Sequence, residues 1–209
     1  MSTQYPHVEA AHRYAEDVIA GRILACRYVQ LACQRFLDDL ARSEDPEYPY
    51  EFDARKGERI CRFISLLPHT KGVWARGGAR IELEPWQCFV LTQIFGWLRR
   101  ADGLRRYRRA YQEVPRKNAK SVMAAGVALY MFAADGEEGA EVYSGATTEK
   151  QAWEVFRPAR LMAQRTPDLL EAYGIHVGAK NLSIEATGSR LEPLIGDPGD
   201  GASPSCAIV

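Results

Sequence analysis

Neither sign of charge prevails in this chain: 27 Lys and Arg balance 27 Asp and Glu, for a formal net charge of zero. That balance excludes a globally basic nucleic-acid coat, so any contact with a polyanion must be local. Cysteine is sparse. The five thiols (26, 33, 61, 88 and 206) are odd in number and none is spaced C-x-x-C, a pattern that offers neither a zinc site nor a disulfide framework and fits a reducing compartment. The four histidines (7, 12, 69 and 176) are scattered without ligand spacing. No apolar run approaches membrane-spanning length, and the N-terminus has no apolar h-region, so neither a span nor a secretory signal is expected. There is no internal repeat and no long low-complexity tract. What remains is a chain of 209 residues, 46% hydrophobic, long enough for one good core with a small appended subdomain.

The hydrophobic period changes along the chain. Residues 8–43 carry apolar side chains at helical spacing, with Gly21 as a break between two helices. Helices are also predicted over 51–67, ended by Pro68, and over 84–98, with Pro85 in the first turn. Asp102-Gly103 is a hairpin-type turn signal. From there strands and helices alternate. Strands are predicted at 106–114, with Glu113 near its end, at 141–144, 180–184 and 191–195, and helices at 121–133 and 149–164. The Gly, Pro and Asp-rich stretch 196–205 reads as a loop, and 206–209 as the start of a buried strand. Such alternation predicts a parallel sheet covered on both faces. The division is therefore a helical N-terminal region, 1–75, ahead of an α/β core, 76–209, which the loop described next makes a nucleotide-binding candidate.

One segment carries the chemistry. Tyr111-Gln112-Glu113-Val114-Pro115-Arg116-Lys117-Asn118-Ala119-Lys120-Ser121 precedes an apolar run to Phe132. The layout is strand, polar loop, Lys-Ser, helix: the plan of a phosphate-binding loop. In that plan backbone N–H groups face an anion, Lys120 reaches the outer phosphates and Ser121 holds Mg²⁺. The consensus places Gly where this chain has Val114 and Ala119. The alternatives are a solvated Lys120 and a Ser121 that caps the helix. Arg116 has the charge to stabilise a transferring phosphoryl group, or to pair with a nearby carboxylate. Thr147, Thr148 and Gln151 follow the next strand and fit either a ligand crevice or a capping box. Arg99, Arg100, Arg105, Arg106, Arg108 and Arg109, with Tyr107 and Tyr111, form a basic cluster open to a DNA-backbone contact or to plain solvation. Asp197 and Asp200 lack the bidentate acid of a Ca²⁺ loop and read as turns.

The order Leu83-x-Pro85-Trp86-Gln87, then Val114 to Ser121, then Ala146-Thr147-Thr148-x-x-Gln151-Ala152 resembles the large terminase subunit of tailed bacteriophages. So does the N-terminal pattern Tyr14-Ala15-x-Asp17-Val18-x-x-Gly21 with Ala32-Cys33-x-Arg35-x-x-x-Asp39-Leu40. The resemblance covers almost the whole chain. It implies an incomplete P-loop NTPase-like α/β sheet with flanking helices, binding ATP and Mg²⁺ through Arg116, Lys117, Asn118, Ala119, Lys120 and Ser121, with Ser121 on the metal. It implies that Arg116 senses the γ-phosphate and that Trp86 and Gln87 lie near the adenine; read from the residues alone, Trp86 is equally a core side chain. It implies a motor that drives double-stranded DNA through a portal protein, with a small terminase subunit, as a homo-oligomeric ring in the host cell cytoplasm. The Asp-Glu pair that orders Mg²⁺ and water is expected just beyond residue 209, and the nuclease domain further on, so these residues are expected to bind nucleotide and hydrolyse it poorly. The alternatives are a non-catalytic interaction module of the packaging machinery and another nucleic-acid motor such as a helicase.

Overall fold

The computed structural model describes residues 4–195 and 205–208. The expected loop at 196–205 and Val209 fall outside those residues, except for Ser205. The chain packs as two units: residues 1–62 with 82–112, and residues 63–81 with 113–209. It crosses between them at 62/63, 81/82 and 112/113, so a single boundary at residue 75 does not describe the packing.

The first unit is mainly helical. Helix α1, Pro6–Ile19, starts on Pro6, whose fixed φ suits a first turn. It ends before Gly21, which takes a left-handed φ of 74°. Helix α2, Arg27–Arg42, turns Cys33, Phe36 and Asp39 inward. Helix α5, Pro85–Gly96, is apolar on most sides and packs on α1. That burial makes α5 part of this unit rather than of the sheet domain to which sequence assigned it. Strand β1, Tyr50–Phe52, pairs antiparallel with β2, Trp97–Arg99, taking the ends of two predicted helices. The reason is local: a Cβ at Gly96 would meet the Phe52 ring, so only glycine lets β2 leave α5 in contact with β1. Helix α3, Ala54–Leu66, follows β1. The Asp102-Gly103 turn forms as expected, with Gly103 at φ 68°.

Asp39 is the polar anchor of this unit. It is buried and accepts from Tyr48 Oη at 2.6 Å and from Arg106 Nη1 at 2.7 Å. The Arg106 guanidinium also lies 4.2 Å from the centroid of the Tyr50 ring. Burial alone would lower the Arg106 pKa; the neighbouring Tyr107 and Asp39 outweigh it and raise it.

The second unit is α/β. Its sheet runs in the order β4-β5-β6-β3-β7, with β3 at Glu141–Ala146, β4 at Ile175–Val177, β5 at Leu182–Ile184, β6 at Ser189–Ile195 and β7 at Cys206–Ile208. Parallel pairing holds for β6 and β7 on either side of β3, whereas β4 and β5 are antiparallel additions. The links at 178–181 and 185–188 are too short for a crossover of about a dozen residues, so those strands must turn back as hairpins. Helix α6, Lys120–Ala133, and helix α7, Glu149–Gln164, pack on each other and on β3 and β6. Val142, Leu182 and Leu191 are fully buried on the face in register with them. The opposite face bears Glu141, Tyr143, Arg190 and Glu192, and there Arg190 donates to Glu141 Oε1 at 2.8 Å and to Tyr143 Oη at 2.7 Å. Helix α8, Pro167–Tyr173, closes on Gly174 in the left-handed conformation and leads into β4.

The strand predicted over 106–114 is not formed. Residues 106–118 have no regular structure apart from bends and turns, and Glu113 does not end a strand. The outer edges of β4 and β7 stay unpaired among the described residues, and 106–114 joins neither. The predicted 206–209 strand does form, as β7, but its Ala207 is exposed rather than buried.

Candidate nucleotide-binding loop

The second unit presents residues 113–121 as one continuous loop at the start of α6. Apart from Val114 and Ser121, which are half-buried, these residues are exposed. Two of them take left-handed backbone conformations that side chains disfavour: Lys117 at φ 72° and Ala119 at φ 55°. For an L-residue this costs about 1–2 kcal/mol. The turn it makes brings Ala119 to the N-cap of α6. Met123 N–H then donates to Ala119 C=O at 2.9 Å as the first intrahelical bond. The N–H groups ahead of Met123 have no side-chain cap, because alanine has nothing to offer them. Ser121 sits past the N-cap, so the capping role open to it in sequence belongs to Ala119.

Lys120 is the first residue of α6. Its ammonium folds back across the loop and donates to the Val114 carbonyl at 2.6 Å. A cation at a helix N-terminus is opposed by the macrodipole. The carbonyl contact compensates, and it holds Nζ over the inside of the loop. Asn118 Nδ2 bridges the Pro115 and Arg116 carbonyls at 3.2 and 3.4 Å, fixing the turn from within. The result combines unsatisfied N–H donors, an exposed cation and a backbone bent to face them. That set suits an anion with several oxygens, and Ser121 brings a hydroxyl next to it.

The other sequence candidates lie elsewhere. Trp86 and Gln87 are in the first turn of α5, in the first unit. Trp86 is half-buried. Gln87 is buried, and its Oε1 accepts from Glu84 N–H at 3.0 Å as half of a reciprocal capping box. Thr148 caps α7: its Oγ1 accepts from Gln151 N–H at 3.4 Å and donates to Gln151 Oε1 at 3.1 Å. Thr148 is thus the N-cap of α7, while Gln151 Oε1 accepts from the Thr147 and Thr148 hydroxyls instead of completing a reciprocal capping box. Of the arginine cluster, Arg99 pairs with Asp102, Arg100 with Glu51 and Arg106 with Asp39. Among the described residues no group of three or more His, Cys, Asp and Glu could hold a metal, and no helix is long and apolar enough to cross a membrane.

Sequence missed the left-handed turns at Lys117 and Ala119. Its only trace was a small residue where the consensus has glycine.

Comparison with known proteins returns a family. The model of the terminase large subunit ATPase domain matches residues 85–209. The crystal structure of the HK97 bacteriophage large terminase is similar in fold, with a TM-score of 0.58 and 24% identity over 73% of this chain and 30% of that one. This chain therefore spans about a third of the length of that terminase. No curated protein matches it. The matched stretch includes the loop, its helix, β3 and β7, and the chain belongs to the terminase large subunits, within their ATPase domain.

Proposed function

We propose that residues 114–121 bind the phosphates of ATP with Mg²⁺, as part of a motor that uses the nucleotide to drive double-stranded DNA into a preformed capsid. The observation that carries this is the loop itself: an uncapped helix N-terminus, a strained Ala119 that turns the chain towards it, and Lys120 Nζ held across its mouth. Backbone strain of this kind is retained where the surroundings over-determine it, and such sites are disproportionately functional.

The roles follow from position. Lys120 exchanges the Val114 carbonyl for phosphate oxygens, gaining a charge-assisted contact in place of a neutral one. The N–H groups of the first turn of α6 add donors to the same oxygens. Ser121 Oγ is the metal ligand. Arg116, Lys117 and Asn118 belong to the loop, and Arg116 takes the γ-phosphate in this reading. Magnesium, when bound, neutralises charge on the transferring phosphoryl group. In the first unit, Trp86 has a half-buried ring and Gln87 keeps its amide donors while its acceptor is engaged with Glu84, the groups that suit an adenine. Portal protein, small terminase subunit and further copies in a ring are the partners this role requires, in the host cell cytoplasm.

Titration calorimetry tests the phosphate claim. ATP with magnesium should bind, AMP should bind much more weakly for want of the outer phosphates, and Ser121→Ala should remove most of the magnesium dependence. Equal affinities for ATP and AMP would overturn it.

A further inference from the structure

Residues 67–81 of the second unit form a tethered hairpin whose tip carries exposed apolar side chains, Trp74 touching only the His69 ring among the aromatic contacts of the described residues. Ile81 N–H donates to Leu67 C=O and His69 N–H to Ala79 C=O, each at 2.9 Å, and Pro68 bridges Arg80. Arg165, at the end of α7, ties the base through the His69 carbonyl at 3.1 Å. The tip is the short helix α4, Gly72–Arg76, entered through Gly72 at φ 76°, with Gly78 at φ 66° beyond it. On this fixed base stand Val73, 78% exposed, and Trp74, 68% exposed. Exposing a tryptophan this far forgoes one of the largest burial gains a side chain offers. Around it are Lys71, Arg76 and Arg80, and the stretch 67–81 contains no acidic residue. None of the three makes an ion pair among the described residues, unlike Arg99, Arg100 and Arg106 of the cluster that sequence singled out.

We infer that this tip is a contact for duplex DNA: Lys71, Arg76 and Arg80 meet backbone phosphates, and the Trp74 indole seats against the groove or a loosened base step. The inference rests on the motor reading given above and assigns it a DNA-gripping element. Three cations without a counter-charge favour a polyanion, and a flat apolar ring between them favours one with stacked aromatic faces. A protein whose net charge is zero needs such a local, acid-free surface to hold DNA at all.

Anisotropy of a short labelled duplex, titrated with the full chain over a range of salt concentrations, tests this. Trp74→Ala should weaken binding about tenfold or more, and Trp74→Phe should recover most of it. Lys71→Ala/Arg76→Ala should reduce the slope of log K against log salt by about 2, one contact for each cation removed. Magnesium-ATP binding, measured on the same samples, should not change, which also shows that each variant is folded. Loss of ATP binding by the wild type alone would sink the loop claim and leave this one standing. Wild-type protein that binds ATP but no duplex, or tip variants that bind DNA as tightly as wild type, would overturn the inference. So would anionic vesicles that bind through the same side chains as strongly as DNA does.

Discussion

Replacing Arg106 with alanine should destabilise the first unit by about 3–4 kcal/mol. The side chain of Asp39 is 4% exposed and that of Arg106 16%, so the pair lies largely out of water. Removing one partner of a buried ion pair costs about 3–5 kcal/mol, because the other charge is left uncompensated. Two details move the figure. Tyr48 keeps its 2.6 Å hydrogen bond to Asp39 and Arg42 stands 3.9 Å away, so the orphaned carboxylate is not bare. Against that, the guanidinium also covers Tyr50, and losing a cation–π contact adds roughly 0.5–1 kcal/mol. Urea unfolding followed by far-UV circular dichroism reads the result, provided the slope m is unchanged. The double variant Asp39→Leu/Arg106→Leu should lose much less than the two single changes together, since it leaves no buried charge. A loss below about 1 kcal/mol for Arg106→Ala would refute the buried-pair reasoning, the value then being that of a surface bridge.

Three further outcomes follow from single side chains. Gly126→Ala in α6 places a Cβ 2.9 Å from Ile64 Cγ1, and the overpacking, about 1–3 kcal/mol, should exceed the roughly 1 kcal/mol gained in helix propensity, giving a lower melting temperature. Burial tends to raise the pKa of Glu58, but hydrogen bonds from His7, Arg62 and Val8 N–H outweigh it and hold it below the ordinary 4.5. A lowered carboxylate pKa contributes stability above its unfolded value and loses it as pH falls, so acid unfolding monitored from pH 4.5 downward should be flatter for Glu58→Gln. Ala119→Gly should stabilise the loop by about 1 kcal/mol, because glycine takes φ 55° without penalty, while a destabilised protein would mean that the turn is not left-handed in solution.

Much of this was legible in the sequence, for physical reasons that can be named. Helices α1, α2, α6 and α7 are long and periodic, or apolar throughout, and their bounds lie within a few residues of those predicted. Pro85, Gly21 and Asp102-Gly103 act locally and did what such residues do. Pairing is not local, and there the sequence was silent. Residues 106–114 have strand-forming composition, yet they join neither sheet and stay irregular, since composition does not choose a pairing partner. Strand β1 and the hairpin β4–β5 are short and depend on partners far away or on link length. At the candidate site, residue types single out Lys120 and Ser121, the residues proposed for phosphate and metal. The conformation that exposes the start of α6 rests on two positive φ angles that no residue type demanded. The partners of the arginine cluster were hidden for a related reason: Asp39, which pairs with Arg106, lies 67 positions away.

The central claim is that Lys120 Nζ, poised 2.6 Å from the Val114 carbonyl, is the principal charge in an ATP-phosphate site. Calorimetric titration of magnesium-ATP into wild-type protein and Lys120→Ala tests it most directly. A lost charge-assisted contact should weaken binding by about 1.5–3 kcal/mol, or roughly 10- to 150-fold, with the unfolding midpoint without nucleotide little changed. Equal affinities for the two proteins would contradict the account and remove Lys120 from the site.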